Sequence, residues 1–415
     1  MSLKEWSGRA AASVVFVLFP VWAGAQSTLS VAQAVDLALA SRPLLKAEGE
    51  RVAAAEGRVK QAGLWPNPEF QFSNENLRRG QSYATDVDTL AVFTQPLDVL
   101  GKRDHRVTAA QTTVTRIAAE VDVARRDVAR QVRVAYWTAR GAQERRDLLR
   151  ASLGNFQRIV DFHQARLNVG AIPEQDVLRV RLEQEQLQVA VHIATLDATT
   201  ARVQLFKEIG RPDDSRVVLS EPLDLERTVA PATTEAALAQ RAELRVSKAS
   251  LDEAAANLAL QNANARPDLG LIVGFKRTSL PDAPTGVNTA IAGVRVTLPL
   301  IDRNQGNRLA AEAETRRQQQ LQAEAEGQVR ADVERARQEY ELRRAEMNDT
   351  LKPLREHATE LAAIARAAYE QGAVEVLRLL DAERARFEAE RFWVEGMVAY
   401  QQSVVNLEFA EGAVR

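Results

Sequence analysis

Between Val107 and Ala135 the apolar residues fall at Val107, Ala110, Val114, Ile117, Val121, Ala124, Val128, Val132 and Ala135, stepping by three and four without a break. That spacing is the seam of a coiled coil, one stripe of a helix packed along a neighbour. Extended from about Arg103 to Leu167, such a helix runs ~100 Å at ~1.5 Å per residue, and no compact domain contains it. The chain must be fibrous in part. Alanine at so many seam positions lets helix backbones approach closely, which suits helices packed side by side.

The pattern is built twice. At an offset of about 202 residues, Pro66 in LWPNPEF falls on Pro267 in ARPDLGL, Pro96 in TQPLD on Pro299 in TLPLID, and Gly170 in NVGAIPEQDVL on Gly372 in EQGAVEVLRLL. The turns Gly101-Lys102-Arg103 and Arg303-Asn304-Gln305-Gly306 follow the second proline of each half. Two copies of this length are no solenoid, which stacks many units of roughly 20 to 50 residues; they make a quasi-symmetric object.

Each unit reads helix, strand, strand, long helix, turn, helix. The first helix begins at Ser30, whose side chain can cap with Gln33, breaks at Pro43 and ends near Gly63 before Pro66 and Pro68. EFQFSNENL then alternates, with Phe70 and Phe72 on one face and Glu69, Gln71 and Ser73 on the other, and DTLAVFTQPLDV returns after a polar loop with Arg78, Arg79 and Gly80. In the second unit Leu269, Leu271, Val273 and Phe275 share a face, as do Ala290, Ala292, Val294 and Val296, with Thr289, Arg295 and Thr297 opposite. Strands are expected at about 68–77, 88–99, 268–277 and 288–300. The second long helix is expected from about Asn307 to Glu370. Helices from Ser30 to Gly63 and from about Glu174 to Glu208 are each half as long, so two stacked end to end match one long helix.

Composition excludes several functions. With 54 Lys+Arg against 56 Asp+Glu, no basic surplus exists to drive nucleic-acid binding. There is no Cys, the three Met form no stripe, and His105, His163, His192 and His357 are widely separated, so neither a metal site nor a cofactor is expected. No nucleophile elbow, phosphate loop or supported acid pair is present, and the chain does not read as an enzyme. His105, in the polar run Lys102-Arg103-Asp104-His105-Arg106, is expected to be structural.

At the N-terminus, Lys4 and Arg9 precede the apolar run AAASVVFVLFPVWA and the small-residue site Ala23-Gly24-Ala25. That order is a secretory signal, giving a mature start at Gln26. The expected divisions are 1–25 signal, 26–210 first repeat, 211–232 linker and belt around the middle, and 233–415 second repeat. Past residue 25 no apolar run approaches the ~18 residues of a spanning helix, so a membrane could be crossed only as a closed β-barrel. Four strands cannot close one, since barrels start at about eight, and several chains are required. Two soluble hairpins capping a helical bundle remain the plain alternative.

The repeat, the two Pro-bounded hairpins and the glycine turns together resemble the TolC-like outer membrane factors, the exit ducts of tripartite efflux and secretion systems in Gram-negative bacteria. The resemblance implies a mainly α fold with a membrane β-barrel: a homotrimer whose four strands per chain form a 12-stranded barrel, continued by a 12-helix periplasmic α-barrel. It implies three kinds of partner, a periplasmic adaptor, an inner-membrane pump of the resistance-nodulation-division type, and outer membrane lipid. WPNPEF from Trp65 to Phe70 and QPLDVLGKRDHR from Gln95 to Arg106 look most like the branch exporting heavy-metal cations. A multidrug or type I secretion duct, or a periplasmic adaptor, is the alternative.

The resemblance also places functional residues. Gly170, Ala171, Ile172 and Pro173, with Gly372, Ala373 and Val374, correspond to the adaptor-docking tip. Glu174, Asp176, Glu375, Arg378 and Asp381 fall at the periplasmic entrance, where Asp381 matches a family aspartate that forms a ring at the constriction. Arg378 stands where a second family aspartate is found, so an Asp381–Arg378 interaction is expected instead of a double acidic ring. Phe70, Phe72, Leu271, Val273, Val294 and Val296 are the expected apolar face of the barrel strands.

Overall fold

A computed structural model describes residues 28–80, 87–212, 217–224, 227, 229, 232–280 and 283–413. The expected signal segment, 1–25, lies outside them. The elements run β1 (Thr28–Leu29), α1 (Val31–Ser41), α2 (Pro43–Ala62), β2 (Glu69–Glu75), β3 (Asp88–Leu97), α3 (Lys102–Asn168), α4 (Glu174–Ile209) and β4 (Val218–Leu219). They continue as α5 (Thr234–Gln240), α6 (Ala242–Asn264), β5 (Asp268–Leu280), β6 (Ala283–Thr297), α7 (Gln305–Ala345), a π-helical segment (Glu346–Leu351), α8 (Lys352–Glu370) and α9 (Val376–Ala410).

Local chemistry sets the boundaries. Ser30 and Gln33 form a reciprocal capping box on α1, with bonds of 3.2 and 2.9 Å. Arg42 leaves the helical region at φ −65°, ψ 121°, and Pro43 opens α2, where its missing N–H costs nothing. The 67-residue α3 is one unbroken α-helix. It starts from Gly101 at φ 77°, and α7 starts from Asn304 at φ 59°, the same left-handed turn in both repeats.

The half-length helices meet end to end. The Ser41 hydroxyl donates to the Ile209 carbonyl at 2.8 Å, so the end of α4 abuts the α1–α2 break. In the second repeat the Arg241 guanidinium donates to the Ala410 carbonyl at 3.2 Å, and the end of α9 abuts the α5–α6 break. Around these junctions lies the main core, with Tyr136, Trp137, Val132, Leu205, Ile209, Val333, Tyr340, Val404 and Leu407. The described part of the linker packs on it: the Tyr136 hydroxyl accepts from the Glu221 N–H at 3.2 Å, and Tyr400 donates to the Arg227 carbonyl at 2.8 Å.

The second long helix departs from expectation. Instead of one α-helix it carries the π segment Glu346–Leu351 just before Pro353. A proline there removes one backbone donor and crowds the preceding turn, and a wider turn relieves that. Gly396 on α9 faces the wide turn: a Cβ there would lie 2.3 Å from Leu351 Cδ1 and 3.0 Å from Met347 Sδ.

The four long strands form one antiparallel sheet in the order β2-β3-β5-β6, so the two hairpins join through β3 and β5. The register aligns Phe70 with Phe93, Phe93 with Val273 and Val273 with Ala292; one turn along, it aligns Phe72, Ala91, Phe275 and Ala290. Directly paired residues point to the same side, so both hairpins share one apolar face. The opposite face carries Glu69, Gln71, Ser73, Glu75, Lys276 and Arg295, with ion pairs Lys276–Glu75 at 3.6 Å and Arg295–Glu69 at 3.4 Å.

The second hairpin is longer than the sequence suggests. Strands are expected at about 268–277 and 288–300, yet β5 runs to Leu280, β6 begins at Ala283, and Leu280 pairs with Ala283. A register shift between Thr278 and Leu280, with Gly286 at φ 68°, absorbs the irregularity on what is an edge strand. Among the described residues no helix is long and apolar enough to cross a membrane.

Candidate functional site

Both helical hairpins end in the same turn. At the first, the Gly170 N–H donates to the Leu167 carbonyl and the Ala171 N–H to the Arg166 carbonyl, each at 2.9 Å. At the second, the Gly372 N–H donates to Tyr369 and the Ala373 N–H to Ala368, again at 2.9 Å. This is a Schellman closure, which needs a left-handed residue; Gly170 and Gly372 supply it at φ 70° and 75°. Pro173 and Glu375 then open the return helices with φ −74°, ψ 152° and φ −75°, ψ 157°.

The two turns stand side by side. Phe156 and Val160 of α3, Val180 of α4, Tyr369 of α8, and Val376, Leu379 and Leu380 of α9 form one small core, against which Val374 packs. Outside it Gly170, Ala171, Pro173, Gly372 and Ala373 are exposed, and Ile172 is half-buried. No atom lies within 4 Å of a Cβ placed on either glycine, so conformation alone demands glycine there.

Above the tip, polar links tie the hairpins together. Arg384 of α9 holds the Glu183 carboxylate of α4 through both Nε and Nη2, and its Nη1 lies 3.9 Å from Asp381. The Glu183 hydrogen bonds push the Arg384 pKa up from its ordinary value, keeping the link charged. The buried Glu383 carboxylate pairs with Arg366 of α8 and, at 3.0 Å, with Arg386.

The sequence-derived entrance set is brought to one end of the molecule but not to one cluster. Glu174, Glu375, Arg378 and Asp381 are exposed and Asp176 is half-buried. The expected Asp381–Arg378 pair gives way to Asp381–Arg384. Both partners are three residues from Asp381, but Arg384 lies on the C-terminal side, where its guanidinium also reaches Glu183.

Sequence reasoning missed His163. It is fully buried, its Nδ1 lies 2.8 Å from the Ile159 carbonyl, and its Nε2 lies 2.8 Å from the Tyr369 hydroxyl across the two hairpins. Burial pushes the Tyr369 pKa up, against an opposing effect of Arg166, so the hydroxyl stays a proton donor. The signal available was a His on the seam face of α3, four residues after Ile159. His105 sits instead in the first turn of α3, its N–H donating to the Gly101 carbonyl at 3.2 Å. No group of three or more His, Cys, Asp or Glu among the described residues is placed to hold a metal ion.

A duplicated long-hairpin protein whose four-stranded sheet has one apolar face is of the channel class, with a site made of turns and ion pairs rather than reacting groups. The family model described as outer membrane efflux protein matches residues 34–211 and 233–413, and the chain belongs to that family. It is an outer membrane efflux channel and not an enzyme. The cobalt-zinc-cadmium resistance protein CzcC of Cupriavidus metallidurans is 28% identical over 369 residues, covering 88% of this chain and 85% of that protein. The nickel-cobalt-cadmium resistance protein NccC of Alcaligenes xylosoxydans xylosoxydans is 24% identical over 273 residues, covering 64% and 60%. Among solved structures, a membrane protein from Pseudomonas aeruginosa shares the fold with a TM-score of 0.76, 21% identity and 92% of each chain covered. The open-state MtrE channel of Neisseria gonorrhoeae does so at 0.75 and 19%, covering 93% and 89%. CusC does so at 0.74 and 21%, covering 92% of each chain.

Proposed function

We propose that the chain assembles as a homotrimer in the outer membrane of a Gram-negative bacterium, passively conducting divalent heavy-metal cations delivered by an inner-membrane pump and a periplasmic adaptor. The carrying observation is the sheet. Phe70, Phe72, Leu271, Val273, Val294 and Val296 are all exposed, between 45% and 66%, on one face of a sheet whose edges β2 and β6 have no further partner among the described strands. Three copies give twelve strands, enough to close a barrel with that face toward lipid and the ion-paired face toward the lumen.

The helices support the same assembly. On α4 the residues Leu178, Leu182, Val189, Ile193, Leu196 and Val203 form a second seam, each at least 46% exposed, which a neighbouring protomer's helix fits. The names of CzcC and NccC support the metal cargo. Exposed duplicate turns at Gly170–Pro173 and Gly372–Val374 support adaptor docking at the tip. Asp381 and its copies would form a cation-attracting collar at the entrance.

A deletion strain challenged with zinc, cadmium, cobalt and nickel salts beside drugs and detergents tests the cargo: sensitivity is expected to the divalent metals. Sensitivity to organic compounds alone overturns the metal reading and leaves the duct. Because the chain has no Cys, single cysteines at Ala171 or Ala373 report docking cleanly. Cross-links to the adaptor are expected from both, and cross-links only from positions near the barrel would refute tip docking.

A further inference from the structure

We propose that His163 and Tyr369 form a proton-sensitive latch between the two helical hairpins, closing the entrance at neutral pH and releasing it when the imidazole is protonated. The inference rests on the duct reading above. The bond joins α3 to α8, residues 206 apart in sequence, with His163 about two turns before Gly170 and Tyr369 about one turn before Gly372.

The geometry fixes the protons. A carbonyl only accepts, so Nδ1, 2.8 Å from the Ile159 oxygen, carries the hydrogen. Nε2 is then the bare nitrogen and accepts from the Tyr369 hydroxyl at 2.8 Å. The rings lie nearly parallel, 7° apart with centroids at 5.4 Å. Against the larger upward effect of burial, Arg166 is near enough for its charge to pull the Tyr369 pKa down. The neutral imidazole is therefore the one form in which every proton in the chain Tyr369, His163, Ile159 has an acceptor.

Protonation at Nε2 removes that acceptor. The imidazolium Nε2–H then faces the phenolic oxygen, and the phenol's own proton has lost its partner, with the Arg166 charge nearby. The groups around the pair are few. From α3 come Arg166 and, lining the groove beside Tyr369, Arg158; from α4 comes Asp176, whose charge acts on Tyr369 in the opposite sense to that of Arg166. From α8, Arg366 and Glu370 border the groove that Tyr369 lines, and Arg366 is held by Glu383 of α9. Otherwise α9 presents Val376, Leu379 and Leu380, which offer a positive charge nothing. The closed arrangement thus binds one proton fewer than the released one, so falling pH favours release.

The test uses the full-length channel, in planar bilayers for conductance and in detergent for amide exchange, at pH 7.5 and 5.5 on the periplasmic side. Wild-type conductance is expected to rise several-fold on acidification, within the limit of about tenfold per pH unit for one linked proton. Exchange protection of residues 156–169 and 366–373, corrected for the intrinsic pH effect, is expected to fall in parallel. His163→Leu and Tyr369→Phe should be released at both pH values. His163→Gln, whose amide oxygen can still accept from Tyr369, should be closed at both. A flat wild-type response in both measurements, or a pH step of wild-type size in His163→Leu or His163→Gln, overturns the latch. Absence of any pore, with a pH-dependent exchange that His163→Leu abolishes, would keep the latch and sink the duct reading.

Discussion

Gly210 stands against Arg42: a Cβ on the glycine would lie 3.1 Å from the Arg42 Cα. The second repeat makes the same joint with Gly412 against Gln240, where the closest approach would be 2.8 Å. Both glycines are left-handed, at φ 83° and 77°. Gly210→Ala and Gly412→Ala should each cost roughly 1–3 kcal/mol, the left-handed penalty plus displaced backbone. Gly170→Ala, with open space around it, should cost only about 1 kcal/mol. Thermal unfolding of the three variants in detergent checks the ranking.

The shared register of the hairpins predicts a face-dependent response to charge. Ala290→Arg, near the middle of β6, places a cation on the apolar face and should cost about 2–4 kcal/mol, lowering the yield of assembled trimer. Thr289→Arg, on the opposite face, should assemble normally. Equal yields would show that the apolar face does not meet lipid.

Arg384 is shared between Glu183 and Asp381, so the two carboxylates can be separated by mutation. Arg384→Gln should raise conductance by no more than a few-fold, because a half-exposed pair contributes about 0.2–1 kcal/mol. The exchange Glu183→Arg with Arg384→Glu should restore it. Asp381→Asn should leave the α4–α9 link intact and reduce cation preference in reversal-potential measurements.

Asp127 on α3 supplies a pH dependence of stability. Burial raises its pKa, opposed by Arg130 and reinforced by Glu243. A carboxyl raised above its unfolded value contributes stability fully below the unfolded pKa, and that contribution is lost as pH rises through the folded pKa. Asp127→Asn should therefore be more stable than the parent at pH 7, with the advantage vanishing under acid. Unfolding midpoints at pH 7 and pH 4 check the sign.

The helical frame was readable because its signals are local. Ser30 with Gln33, Pro43, Gly170 and Gly372 each impose a backbone state on their own neighbours. The register that puts Phe70 beside Phe93 and Val273 was not readable, since it depends on pairing between hairpins far apart in the chain. The π segment was hidden for a related reason: Pro353 announces a disturbance, while its form depends on Gly396 across the packed interface. Near the start of α9 the sequence offered Asp381 a partner, Arg378, that the structure does not give it. Arg378 and Arg384 are equidistant in sequence, and only the position of Glu183 on α4 chooses between them. His163 looked ordinary because a seam position does not reveal that Tyr369 faces it.

The unbroken α3 has a consequence for how such a channel can change length over generations. Each added residue turns everything beyond it by ~100°, which would swing the seam away from its partners. Only a whole seven-residue block returns the stripe to its place, adding ~10 Å. Descendants of this rod can therefore be lengthened or shortened only in steps, whereas the sister rod already holds a wide turn at Glu346–Leu351 and can take up a single-residue change there.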